Sequence, residues 1–165
     1  MMGNRGQIAG EYLLLAGVLI IIVMMSIQFI AYENELNTAM GAARNGVTEG
    51  LGTSSAAIYS KDSYNDYSLS KSNLLHPYSV EIINITYNDL GRDNNYDKQK
   101  IQFKVYAKIS DKYSKSELDS IGDRINYNLR KSLATCFNST SSTNKLYNPV
   151  FSPHYVLTTA NIKWV

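Results

Sequence analysis

Tyr12-Leu13-Leu14-Leu15-Ala16-Gly17-Val18-Leu19-Ile20-Ile21-Ile22-Val23-Met24-Met25-Ser26-Ile27-Gln28-Phe29-Ile30-Ala31-Tyr32 carries no charged side chain, and Ser26 and Gln28 are its only clearly polar ones. Glu11 and Glu33 bracket it. As an α-helix, these 21 residues rise about 31 Å, close to the roughly 30 Å hydrocarbon thickness of a bilayer. A core helix of a soluble domain shows polar interruptions at the helical period, and this run shows none. The stretch therefore reads as a membrane-spanning helix.

A secretory signal has a basic start, a shorter apolar stretch and a small-residue cleavage site after it. Here the apolar stretch is too long, and the small pair Ala42-Ala43 lies well past its end, beyond Glu33 and Glu35. The small residue that stands out comes before the run, in Arg5-Gly6-Gln7-Ile8-Ala9-Gly10-Glu11-Tyr12-Leu13. Arg5 is the only basic residue on that side, and no Lys or Arg occurs between Tyr12 and Ala43. Basic residues stay cytoplasmic, so the chain beyond the helix is expected outside the cell.

Arg5-Gly6-Gln7…Glu11 with the Leu-rich run resembles the class III signal peptide of archaeal type IV-like pilins, whose pattern is a basic residue, Gly, then Gln-x-Ser-x-Glu. Ala9 stands where that family usually has Ser. The resemblance covers about the first 35 residues. It implies cleavage by a prepilin peptidase between Gly6 and Gln7, retention of the helix in the mature subunit, and an assembly role for Gln7 and Glu11. In that family the glutamate is thought to neutralise the N-terminal amine of a neighbouring subunit. Elementary electrostatics agrees: a carboxylate costs less near the bilayer interface than at its centre, and the helix macrodipole favours it in the first turn.

Beyond Tyr32 the pattern turns one-sided. Leu36, Met40, Val47 and Leu51 recur at helical intervals with Ala39 and Ala43 between them, while Glu33, Glu35, Arg44 and Glu49 fall on other faces. The helix is expected to end near Leu51-Gly52, where Gly50 and Gly52 weaken it.

The remaining residues read as a small α+β head. Residues 53–75 form a polar connector. Val80, Ile82, Ile83, Ile85, Thr86 and Tyr87 make a strand from Tyr78 to Tyr87. Asn88 to Lys98 reads as a turn, with Asp89, Gly91, Asn94 and Asn95. Ile101, Phe103, Val105, Ala107 and Ile109 then alternate with Lys100, Gln102, Lys104, Tyr106 and Lys108, as in an antiparallel hairpin partner. Ser114 and Glu117 have capping-box spacing ahead of a helical stripe of Leu118, Ile121, Ile125, Leu129, Leu133 and Cys136. Asn138 to Asn148 reads as a polar loop, and Tyr155 to Val165 as a last strand. The expected fold is thus α+β, pilin-like: a long N-terminal hydrophobic and amphipathic helix, then a small antiparallel sheet with one helix. The expected organisation is a leader at 1–6, a transmembrane and filament-core helix at 7–52, and an extracellular head at 53–165.

Composition narrows the function classes. The 165-residue chain has 16 Lys+Arg against 14 Asp+Glu, so no charge imbalance points to nucleic acid. Charged residues make up 18%, low for an intracellular domain, while 13 tyrosines with many Asn and Ser suit wet, uncharged surfaces. Cys136 is the single cysteine, so no disulfide closes within the chain; its place on the helical stripe reads as a buried structural thiol, with an intermolecular bridge as the alternative.

No catalytic constellation emerges. His76 and His154 sit in loop-like context without a helix-spaced partner for a metal, and Gly50-Leu51-Gly52 lacks the preceding strand of a nucleotide fingerprint. We expect no enzyme activity, metal or cofactor. Lys100, Lys104 and Lys108, flanked by Lys98, Lys112 and Lys115, read as a solvated sheet face that discourages edge pairing; adhesion to an acidic surface or DNA is the other reading. Asn84-Ile85-Thr86 and Asn138-Ser139-Thr140 match the N-glycosylation acceptor pattern, with Asn138 favoured for its loop and Asn84 requiring an outward-facing strand position. The expected function is a structural subunit of a type IV-like pilus, found in the cell membrane as a precursor and then in an extracellular filament. Its expected partners are other copies of itself, the prepilin peptidase and the pilus assembly machinery. The alternatives are a minor or tip subunit of the same pathway, or a singly anchored cell-surface binding protein.

Overall fold

The computed structural model describes residues 4–56, 80–110 and 113–165. The expected connector falls almost wholly on residues outside these, as does His76. The element order is α1 (Asn4–Ala56), β1 (Val80–Asp93), β2 (Lys98–Ile109), α2 (Lys115–Cys136), a short 3-10 turn (Thr140–Ser142), β3 (Val150–Phe151), β4 (Tyr155–Thr159) and β5 (Lys163–Trp164). The chain divides into two compact units, residues 1–37 and 38–165. The fold is α+β, a long N-terminal helix and a small sheet with a second helix, as the sequence predicts. In general terms this is a pilin-like architecture.

The described residues of the first unit are helix alone. From Ile8 to Tyr32 its large apolar side chains are exposed, among them Leu13, Leu14, Met25 and Phe29. α1 is the one helix among the described residues long and apolar enough to cross a membrane.

The second unit begins inside α1. Ala39, Ala42, Ala43 and Val47 are buried, the one-sided pattern having given this part of the helix an apolar stripe. α1 runs on to Ala56, past the glycines where the sequence suggested its end. Two glycines of α1, Gly46 and Gly50, are contact points. A Cβ on Gly46 would stand 2.5 Å from the Asn128 carbonyl oxygen, and one on Gly50 would stand 2.9 Å from the Ile125 Cα. Ser132 Oγ donates to the Ala42 carbonyl at 2.8 Å, so the two helices are also tied by a hydrogen bond.

β2 is the centre of the sheet. β1 pairs with it antiparallel along one edge, and β4 and β5 pair with it parallel along the other; β3 extends the sheet beyond β4. The sheet is therefore mixed, where the sequence suggested a wholly antiparallel one. The cause is the β3–β4 reversal: the strand that follows α2, β3, runs antiparallel to β4, and turning back at Ser152–His154 sets β4 parallel to β2. The predicted last strand is present as β4 and β5, which step by one residue in register against β2. Between them Ala160 keeps its N–H on the Phe103 carbonyl at 2.9 Å, and its own carbonyl accepts from Asn126 Nδ2 at 3.1 Å.

The core follows the predicted alternation. Ile101, Phe103, Val105 and Ala107 of β2 are buried with Ile121, Ile125, Leu129 and Leu133 of α2 and with Val156 and Leu157 of β4. Each large side chain so buried contributes about 1.5–3 kcal/mol of apolar transfer. α2 starts at the predicted capping box: Ser114 Oγ accepts from the Glu117 N–H, and the Glu117 carboxylate accepts from the Ser114 N–H at 2.8 Å.

Two local readings change. The Asn88–Lys98 segment is not a long turn: β1 continues to Asp93, and the turn is Asn94 to Asp97. Gly91, at φ +82°, sits in a bulge between Asp89 and Arg92, and its N–H is held by Asp89 Oδ1 at 2.8 Å. A bulge accommodates the left-handed glycine that otherwise signals a turn. Cys136, read as buried, is exposed. It lies on an open crevice lined also by Thr38, Gly41, Ala42 and Lys131.

Candidate assembly surface

The features that bear on function lie on α1 and along the β1 edge. Gly6 and Gln7 fall in the first turns of α1. Glu11, one helical turn on from Gln7, is exposed beside Tyr12, Leu13 and Leu14, which are exposed as well. A carboxylate amid such a surface needs either water or a cation once that surface is covered. Farther along the same helix Glu33 is exposed, next to Phe29, Ile30 and Tyr32.

In the second unit Arg44 is exposed on α1. With Val47 and Thr48 it forms one wall of a groove of about 290 Å³, whose other wall is Ile82, Ile83, Asn84 and Ile85 of β1. Ile83 is the extra residue of a bulge: Ile82 pairs with Ala107 and Asn84 with Tyr106, leaving Ile83 unmatched and exposed. Bulges re-aim side chains and twist edges, and this one puts an aliphatic side chain in the groove mouth. Sequence reasoning placed Ile83 in a strand but had no means of finding the bulge, because the register against β2 is not a local property.

The lysine face is tied up locally. Lys98 Nζ donates to the Ser152 carbonyl at 2.6 Å, and Lys100 Nζ lies 3.3 Å from Asp93. With the Asn88 amide oriented to accept, Lys104 Nζ donates to it at 2.8 Å. Lys108 is opposite Glu81, and Lys163 Nζ stands 5.7 Å from the centre of the Tyr106 ring. These contacts use the cations within the head, as a solvated sheet face does.

Both acceptor asparagines are exposed. Asn84 sits on β1 immediately after the Ile83 bulge, and Asn138 follows the C-terminus of α2 at φ +50°. Ser139, the middle residue of the second pattern, is buried, with its N–H on the Ala134 carbonyl at 2.8 Å. Asn84 thus has the outward position the sequence required of it, while Asn138 stands on a more tightly held backbone.

α2 also carries Arg130, missed by sequence reasoning. Its Nε donates to the Leu146 carbonyl at 3.0 Å and its Nη1 to Thr159 Oγ1 at 2.7 Å. Burial lowers its pKa, with Asp123 opposing. It pins the 137–149 segment to the sheet, helped by Tyr127 and Tyr147, whose ring centres are 5.5 Å apart. His154 is half-buried, and its carbonyl accepts from the Gln99 N–H at 3.1 Å. No group of three or more His, Cys, Asp or Glu side chains suited to a metal occurs among the described residues.

Comparison with known proteins yields no match: no protein-family model fits the chain, and no curated protein or solved structure is significantly similar to it.

Proposed function

We propose that this chain is the precursor of a pilin-type structural subunit, cut between Gly6 and Gln7 and polymerised through α1 into an extracellular filament. The observation that carries this reading is the band of exposed apolar side chains from Ile8 to Tyr32 on a helix that continues into a folded head. Such a band does not remain in water. At about 25 cal/mol per Å² of apolar surface, its removal from water is a large driving force. Lipid provides that cover in the precursor, and the equivalent helices of other copies provide it in the filament.

Glu11 turns a plain anchor into an assembly element. Cleavage after Gly6 creates an ammonium at Gln7, about one turn from Glu11 along the helix. Two helices packed in parallel with a small axial offset bring one copy's ammonium to the other's carboxylate. In a low-dielectric core such a pair is favoured strongly over either charge alone. The peptidase, the assembly machinery and other copies of the chain are the partners this reading requires.

The test is the N-terminal mass of the protein recovered from its native cell surface, with filaments sheared and collected separately. A form beginning at Gln7 in the filament fraction supports the reading. A form that retains residues 1–6, or one cut after Ala42 or Ala43, overturns it and leaves a singly anchored or released head.

A further inference from the structure

A groove lies between α1 and β1 in the second unit. Its floor and walls offer Val47, Ile82, Ile83 and Ile85, and its rim carries Arg44. Among the described residues the Arg44 guanidinium has no hydrogen bond and no ion pair, although Glu49 on the same helix is matched by Lys131 at 4.0 Å. The groove therefore presents an aliphatic hollow with an unmatched cation at its edge.

The complementary surface is on the chain itself. Phe29 and Glu33 are four residues apart in a helix, hence on one face and one turn apart. Phe29 is 67% exposed, and Glu33 is exposed without a partner among the described residues. An aromatic ring followed at one turn by a carboxylate is what an aliphatic hollow rimmed by a guanidinium accepts. The cavity has room for an aromatic ring, and arginine with carboxylate is the pair best suited to a partly desolvated contact.

The geometry points to this groove as the head's docking site for a second copy of the chain: the Phe29–Glu33 turn of the neighbour's α1 enters it, with Phe29 on Ile83 and Glu33 on Arg44. The inference rests on the polymer reading above and adds to it a specific lateral contact between a head and an adjacent helix. Phe29 is withdrawn from solvent by the contact, and the two charges fix which turn of the helix is accepted. Glu33 beside Arg44 needs an axial offset of about 16 Å, against about 6 Å for Gln7 beside Glu11, so the two contacts are made with different neighbours in the polymer.

The experiment uses full-length protein in cells that assemble it, with Cys136→Ala as background. Two tagged copies are co-expressed, one with Phe29→Cys and one with Ile83→Cys, and sheared filaments are run without reductant. A disulfide-linked species carrying both tags is expected. In parallel, Arg44→Glu and Glu33→Arg should each lower filament yield at least about tenfold, since like charges then meet in the contact. The double variant should recover most of it. Thermal melts of the detergent-solubilised proteins show whether each variant is folded. Filaments that incorporate both cysteine copies without the mixed species, or charge reversals that assemble like the parent, overturn the docking site while leaving polymerisation in place. Absence of filaments from the parent chain overturns both.

Discussion

Gly46 lies against Asn128 so closely that a methyl group on the glycine would stand 2.5 Å from the Asn128 carbonyl oxygen, with the Leu129 Cα a further 0.1 Å away at 2.6 Å. Both obstacles are backbone, so neither swings aside. The distance between α1 and α2 is set by the missing side chain.

Gly46→Ala is accordingly expected to destabilise the head by roughly 1–3 kcal/mol, the usual cost of overpacking, or more if the helices separate. Gly41→Ala is the control. A Cβ there meets nothing within 4 Å, and helix propensity favours Ala over Gly by up to about 1 kcal/mol. Thermal melts of the full chain in detergent should move in opposite directions for the two. A Gly46→Ala melt at or above the parent's would show that the helices are not in contact there.

Ser114→Ala removes the acceptor that holds the Glu117 N–H and breaks the reciprocal box at the start of α2. The expected loss is about 1 kcal/mol, with Ser114→Asp restoring most of it. Urea titration followed by circular dichroism measures it, and equal midpoints for the parent and Ser114→Ala would deny the cap any role.

Glu11→Gln is expected to leave membrane insertion intact and to depress filament yield sharply, because a buried ammonium loses its counter-charge. Glu11→Asp should recover part of the yield. Membrane fractionation and pelleting of sheared filaments separate the two steps, and normal filament yield from Glu11→Gln would remove the glutamate from the assembly scheme.

Much of this was legible in the sequence because its signals are local. The apolar run at Tyr12–Tyr32, the Ser114/Glu117 box and the alternation of Ile101, Phe103, Val105 and Ala107 each need only neighbours in the chain to be read. Failures occurred where distant partners decide. Asp89 and Gly91 carry turn chemistry, yet pairing with β2 keeps them in a strand and turns the glycine into a bulge. Cys136 has the spacing of a core residue, but it faces the crevice between α1 and α2, which only the packing of the two helices creates. The parallel sense of β4 depends on the reversal between β3 and β4, whose pairing with β2 is not local. Of the assembly surface, Gly6, Gln7 and Glu11 were readable as a pattern, while the groove at Arg44 and Ile83 exists only once α1 and β1 have come together.

The placement of β4 and β5 beside β2 has a bearing on biogenesis. β2 is left with one unsatisfied edge from the time it emerges until the residues from Tyr155 onward have been made, since those strands are its partners on that side. An export or synthesis intermediate halted before them exposes the Ile101–Ala107 backbone as an open ladder, a template for pairing with other chains. α1 comes first in the chain and the strands that close the head come late. A chain arrested before Tyr155 therefore differs from a finished one in a single structural respect at β2: whether the central strand still has a free side.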